Sequence, residues 1–176
     1  MRAVVISLIL VVSVTAHAED GVMLKVEFFS QRDSHWSGDF MGSSPYKVGD
    51  NVIINGETVP GQGCAMTCVA MGLHYFGADT DPHRLNQWLS THTVNQGGYD
   101  DNACINWTET GVGKYCQDIG CPLMYFTGSG ADIQTELKRG YPVIIKTTLG
   151  TREYRVRGQY IMLRGSCGEP LGLGFG

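Results

Sequence analysis

Cys64 is the residue best placed to do chemistry. It follows the glycine turn Gly61-Gln62-Gly63 and opens an apolar run in which Ala65, Met66, Val69, Ala70 and Leu73 recur at helical spacing. That spacing predicts a helix from Cys64 to Phe76, with Gly77 as its C-terminal stop. A helix N-terminus carries partial positive charge and unpaired amide hydrogens. A thiolate placed there is stabilised, and the same amides can face a developing oxyanion. The pattern equally suits a buried cysteine or a half-cystine, and the motif alone leaves these readings open. Zinc is a poor match, because Cys64-x3-Cys68 with His74 has neither the usual ligand spacing nor a second ligand pair. No metal, nucleotide or flavin motif is present, so no cofactor is expected.

The remaining cysteines, Cys68, Cys104, Cys116, Cys121 and Cys167, bring the total to six. Their meaning depends on compartment. Met1-Arg2 is a short positive start, Ala3 to Val14 is apolar apart from Ser7 and Ser13, and Ala16-His17-Ala18 has the form of a signal-peptidase site. About a dozen apolar residues fall short of the roughly 20 that span a bilayer. A cleaved export signal over 1–18 and a single mature domain over 19–176 are therefore expected, in a secreted or periplasmic protein with no stable membrane insertion. In an oxidising compartment an even cysteine count favours disulfides. Three bridges would consume Cys64, whereas a nucleophilic Cys64 leaves one cysteine over.

The elements that must position these groups are legible in part. Lys25 to Ser30 alternates like a short strand, and Asn55-Gly56 suits a hairpin turn. Asp81-Pro82 opens a second helix with Leu85, Trp88 and Leu89 as its apolar stripe. Thr93 to Phe126 reads as irregular, with Ile105 and Trp107 as anchors. Ala131 to Arg139 reads as a third helix closed by Gly140, with Ile133 and Leu137 inward. Pro142 to Ile145 and Gln159 to Leu163 read as buried strands. Helices first and strands later imply an α+β fold. The formal net charge is −4 and no basic cluster occurs, which argues against nucleic acid as a partner. With 43 % hydrophobic residues, 17 % charged and 24 Gly, the composition suits a loop-rich globular domain rather than a coiled coil or a disordered chain.

Several segments taken together resemble one family. Phe28-Phe29-Ser30-Gln31-Arg32-Asp33-Ser34-His35-Trp36 is similar to a Tyr-x-Ser-Gln-Arg-Asp-Pro-x-Trp opening. Gly63-Cys64-Ala65-Met66-Thr67-Cys68-Val69-Ala70-Met71 is similar to a Gly-Cys-Gly-Pro-Thr-Ser-x-Ala-Met nucleophile helix. Leu85 to Leu89, Gly97-Gly98-Tyr99, Ile105-Asn106-Trp107 and Gly140-Tyr141-Pro142-Val143 follow in the same order. Both openings are those of the family-thirty-nine-like cysteine peptidases, papain-like proteins related to the domains that trim bacteriocin leaders, and the resemblance runs over residues 24 to 165. It implies a papain-like α+β fold with a helix-rich first half packed on a small antiparallel sheet, and a peptide or protein as substrate or ligand.

Residue by residue, the resemblance makes Cys64 the nucleophile and Gln31 the oxyanion-hole glutamine, with Gln62 as the local alternative. The family's general base is a histidine opening the strand after Pro-Val. Here that position is Gln159, in Gly158-Gln159-Tyr160-Ile161-Met162. A glutamine amide takes no proton from a thiol near neutral pH. No histidine follows His92, and no Asp or Asn follows Asp132 to orient one. His74 is ten residues along the Cys64 helix, roughly 15 Å away. His83 and His92 flank the next helix, which leaves His35, beside Gln31, as the only substitute. Three functions follow as expectations: a secreted thiol hydrolase of peptide or amide bonds, a peptide-binding module that kept the cleft and lost the base, and a disulfide-stapled domain with only the architecture in common.

Overall fold

The computed structural model describes residues 22–92, 98–100, 102–108, 110–121, 130–147, 159–163 and 165–166. Along them run β1 (Val22–Met23), β2 (Val52–Ile54), β3 (Glu57–Val59), α1 (Cys64–Tyr75), α2 (Pro82–Thr91), α3 (Val112–Asp118), α4 (Gly130–Lys138), β4 (Val143–Thr147), β5 (Gln159–Leu163) and β6 (Gly165–Ser166). The arrangement is α+β. The strands form two-stranded ladders, β2 with β3 and β1 with β6, both antiparallel, and β4 with β5. The expected export segment, residues 1–18, and Cys167 lie outside the described residues.

The larger of two compact units comprises Val26–Phe126 and Ile144–Met162. Its centre is α1, in which nine successive residues, Ala65 to Leu73, are all buried. A helix that is apolar all round has no solvent face and must be enclosed on every side. Met66, Val69, Ala70 and Leu73 meet Leu85 and Leu89 of α2, Met41 and Val48 from the preceding loops, and Tyr99, Ile105, Val112 and Tyr115 from the following ones. Each large aliphatic side chain removed from water in this way stabilises the fold by about 1.5–3 kcal/mol. Ile144 of β4 packs against the same core. The second unit, which includes β1, α4 and β6, buries Ile133, Leu137 and Val143.

Local chemistry explains most boundaries. The Asp81 carboxylate accepts from the Arg84 amide at 2.8 Å and Pro82 occupies the first helical position, so α2 starts where the sequence indicated. Gly77 and Gly140, both at φ +88°, follow α1 and α4 in the left-handed region that suits glycine. The β2–β3 hairpin turns through Asn55 (φ 53°) and Gly56 (φ 83°), the two positive angles of a type I′ turn.

Two expectations need correction. Lys25 to Ser30 is not a strand: Val26 is buried, but Phe28, which would share its face, is 74 % exposed, so the period-two pattern does not persist. The segment is held by individual side chains instead. Glu27 pairs with His74 at 2.9 Å, and the Phe29 ring meets those of Trp36 and His74 edge-on at 5.9 and 5.3 Å. The stretch read as irregular contains α3, whose buried Val112, Tyr115 and Cys116 have i, i+3, i+4 spacing over too short a run for periodicity to stand out. Ile105 is buried there as expected, and Trp107 packs at the edge of the core.

Tyr99 links this core to a polar contact. Its hydroxyl donates to Asn86 Oδ1 at 2.8 Å, while the Asn86 amide donates to the Phe40 carbonyl at 3.0 Å. Burial pushes the Tyr99 phenol far above its ordinary range. Unfolded tyrosines ionise near pH ~10 while folded Tyr99 keeps its proton, so the folded state then binds more protons and loses stability as pH rises. Tyr99→Phe is expected to lower stability by about 1–3 kcal/mol at neutral pH, because Asn86 Oδ1 loses its shorter donor and keeps only the Ser90 hydroxyl at 3.5 Å. The variant should also show a shallower alkaline decline than the parent, measured by urea unfolding at a series of pH values.

Candidate functional site

Cys64 is placed by backbone packing rather than by a capping side chain. Gly63 is the N-cap of α1, with no side-chain hydrogen bond to the helix. The Thr67 amide donates to the Gly63 carbonyl at 2.9 Å and closes the first turn. The amide hydrogens of Cys64, Ala65 and Met66 precede that bond and have no helical acceptor. The approach to the turn is tied to the segment Lys47–Gly49: Gln62 N–H donates to Lys47 O and Gly63 N–H to Val48 O, each at 2.9 Å.

That pairing is too close for side chains. A Cβ on Gly63 would stand 2.6 Å from Val48 Cγ1, and one on Gly61 would stand 2.6 Å from the Gly49 Cα. A Cβ on Gly49 would collide with the Gln31 carbonyl. The Gln31 backbone, Gly49 and Gly61 therefore stack directly, and this brings Gln31 to the loop that carries Cys64. Trp36 holds the same segment from behind, its indole N–H donating to Ser30 O at 2.7 Å. Gln31 is half-buried, and its side-chain amide has no hydrogen-bond partner among the described residues. Gln62 is otherwise engaged, donating through Nε2 to Pro60 O at 2.7 Å.

Cys64 itself is half-buried and is a free thiol. Cys68, one turn further into the helix, is 7 % exposed. No disulfide joins the five described cysteines to one another. Thr67 is 4 % exposed, and its hydroxyl has no hydrogen-bond partner among the described residues. A buried hydroxyl left in that state costs about 1–3 kcal/mol. On a helix, residue i+3 shares the face of residue i, so Thr67 lies on the Cys64 side of α1. Among the described residues no group of three or more His, Cys, Asp or Glu could hold a metal ion, and no helix is long and apolar enough to cross a membrane.

The described histidines are all committed elsewhere. His35 places Nδ1 2.6 Å from Asp33 Oδ1 and is 81 % exposed, so its ring belongs to a surface pair. The His35 backbone N–H and ring beside Asp33 hold that carboxyl below its ordinary range. His74, at the far end of α1, lies between Glu27 Oε2 at 2.9 Å and Thr80 O at 3.2 Å. His83 lies between Asp39 Oδ2 at 2.6 Å and Gln87 Nε2 at 2.8 Å. His92 bonds Trp88 O at 2.7 Å and stacks on the Trp88 ring. The Gln159 backbone opens β5; its side chain lies outside the described part of the structure.

Sequence reasoning singled out Cys64, Gln31 and Gln62, but it missed Gly49 and Thr67. Glycines at 49, 61 and 63 in two short segments signal close backbone approach, and that signal could have found Gly49. Nothing in the sequence marks the Thr67 hydroxyl as unpartnered, because that depends on what surrounds it.

With this geometry in place, comparison with known proteins is specific on one point. The model of the Peptidase_C39 like family matches residues 23–165, most of the chain, and the protein belongs to that family. No curated protein and no solved structure matches it.

Exposure sets which thiols react. Iodoacetamide on the native protein at neutral pH is expected to modify half-exposed Cys64 and exposed Cys104, and to spare buried Cys68, Cys116 and Cys121 until denaturant is added. Burial also pushes the Cys121 thiol up, which keeps it in the less reactive protonated form. Peptide mapping by mass spectrometry reads this pattern. Gly49→Ala should destabilise the fold by roughly 1–3 kcal/mol as the Gln31 and Gly61 backbones are forced apart, seen as a lower urea midpoint.

Proposed function

We propose that this member of the Peptidase_C39 like family is an exported, peptide-binding protein on a papain-like fold, with Cys64 at the nucleophile position, Gln31 as the oxyanion donor, and no base for efficient amide hydrolysis. One observation carries the reading. Cys64 is a free, half-exposed thiol at the start of a fully enclosed helix, while each described histidine is bonded to a partner elsewhere.

The chemistry separates binding from turnover. A peptide carbonyl placed against the first amides of α1 would meet donors with no helical acceptor, and the uncommitted Gln31 amide supplies another. Attack by Cys64 requires loss of its proton, and collapse to products requires a proton for the departing amine. In a Cys–His pair the imidazole performs both transfers. The Gln159 amide performs neither. Peptides are therefore expected to bind against the Cys64 turn and to turn over slowly or not at all.

A second reading, thiol hydrolysis of peptide or amide bonds by the native protein, is favoured by the free Cys64 and the uncommitted Gln31 amide. The two separate on a pooled peptide library assayed with the mature chain, Cys64→Ala and Gln159→His. Under the first reading the parent turns over at or near background and Gln159→His raises hydrolysis by about 10²–10⁴-fold above that level, the usual contribution of a positioned general base. Hydrolysis by the parent that Cys64→Ala abolishes, and that Gln159→His fails to increase, would establish the second.

A further inference from the structure

The Cys64 turn carries a second thiol for which peptide hydrolysis has no use. Cys68 follows Cys64 by one turn of α1, and exposure is graded between them, from half-buried at Cys64 to 7 % at Cys68. At 1.5 Å of rise per residue their Cα atoms stand about 6 Å apart, within the ~4.4–6.8 Å that a disulfide bridges. Their Cβ atoms, about 5–6 Å apart on a regular helix, must close to roughly 3.5–4.5 Å. Closing that distance loosens the first turn at the Thr67 N–H to Gly63 O bond, while the amides of Cys64, Ala65 and Met66 have no helical acceptor to lose. On the Cys64 face lies the Thr67 hydroxyl, buried and without a hydrogen-bond partner among the described residues.

From this arrangement we propose that Cys64 and Cys68 form a dithiol site that exchanges with accessible low-molecular-weight disulfides. The Cys64 thiolate attacks one sulfur of the substrate. The substrate S–S bond breaks, a Cys64–substrate disulfide forms, and the first substrate thiolate leaves. Cys68 releases its proton to solvent and attacks the Cys64 sulfur, and the second substrate thiolate leaves. The substrate disulfide has gained two electrons and become two thiols, while the pair has been oxidised to a disulfide. A dithiol reductant returns it. No step needs a histidine, because a thiolate departs without being protonated, unlike the amine of an amide. The proposal rests on the accessible Cys64 thiol and not on peptide binding or on the identity of Gln159.

The test is the reduced mature chain incubated with glutathione disulfide, read by released glutathione and by tryptic mapping without reduction. The tryptic peptide 48–84 contains Cys64, Cys68 and no other cysteine. Beyond the one glutathione released for each mixed disulfide mapped on exposed Cys104 or another cysteine, two glutathiones per chain and a 48–84 peptide lighter by two hydrogens are expected. Cys68→Ser should halve the yield to one and leave glutathione on Cys64. Cys68→Ala, which puts no hydroxyl in the core, should do the same, and native alkylation of its Cys64 reports that it is folded. Cys64→Ser should leave Cys68 unmodified. A parent that stops at a glutathione mixed disulfide on Cys64, or that pairs Cys64 with any other cysteine, overturns the proposal. Gln159→His should leave the exchange stoichiometry unchanged, so exchange and peptide hydrolysis can fail independently.

Discussion

The site depends on one contact: backbone against backbone, with no side chain between. Gly49 lies between the Gln31 carbonyl and Gly61, while Gly63 lies against Val48 and hands the chain into α1. Hydrogen bonds from Gln62 and Gly63 to Lys47 and Val48 hold these segments together. A single methyl group at any of the three glycines would separate strands of chain that must touch. The first turn of α1 thus gets a fixed origin without a capping side chain, and its leading amides are left without helical acceptors.

The helix behind that turn cannot slide. Ala65 to Leu73 are enclosed on every side, so a shift of one residue would disturb contacts all round rather than along one stripe. Its far end is tied by the same N-terminal segment that carries Gln31: Glu27 reaches His74, and Phe29 packs between His74 and Trp36. The segment therefore touches α1 near its C-terminal end and the Cys64 loop near its start. Regular strand pairing contributes little here. Side-chain anchors at Glu27, Phe29 and Trp36 do what a ladder would otherwise do.

What the thiol can do is decided by leaving groups. Amide cleavage asks for a proton on the departing nitrogen, and none of the described histidines is free to supply it. Disulfide exchange asks only for a thiolate that can be reached and a second sulfur within bonding range. The same turn of helix is poorly equipped for the first reaction and furnished for the second. Cys68, at 7 % exposure, is shielded from solvent, which keeps the second sulfur from reacting before the first.

Much of this was legible in the sequence. The start of α2 at Asp81-Pro82, the hairpin at Asn55-Gly56, the stops at Gly77 and Gly140 and the helix opened by Cys64 follow from local rules: a side-chain acceptor for free amides, a missing amide where none is needed, glycine where φ is positive. That position 159 is a glutamine and that no histidine follows His92 was also plain, since both depend on residue type alone. Contacts between distant segments were not legible. Lys25 to Ser30 looks like a strand because it alternates, but only the folded chain shows Phe28 in solvent and Phe29 against Trp36. That Gln31 reaches the Cys64 loop, that His35 turns to Asp33 and solvent, and that the Thr67 hydroxyl is left unpartnered were decided by tertiary packing. A residue's type determines which bonds it can make, and the packing of remote segments determines which partners are there to make them.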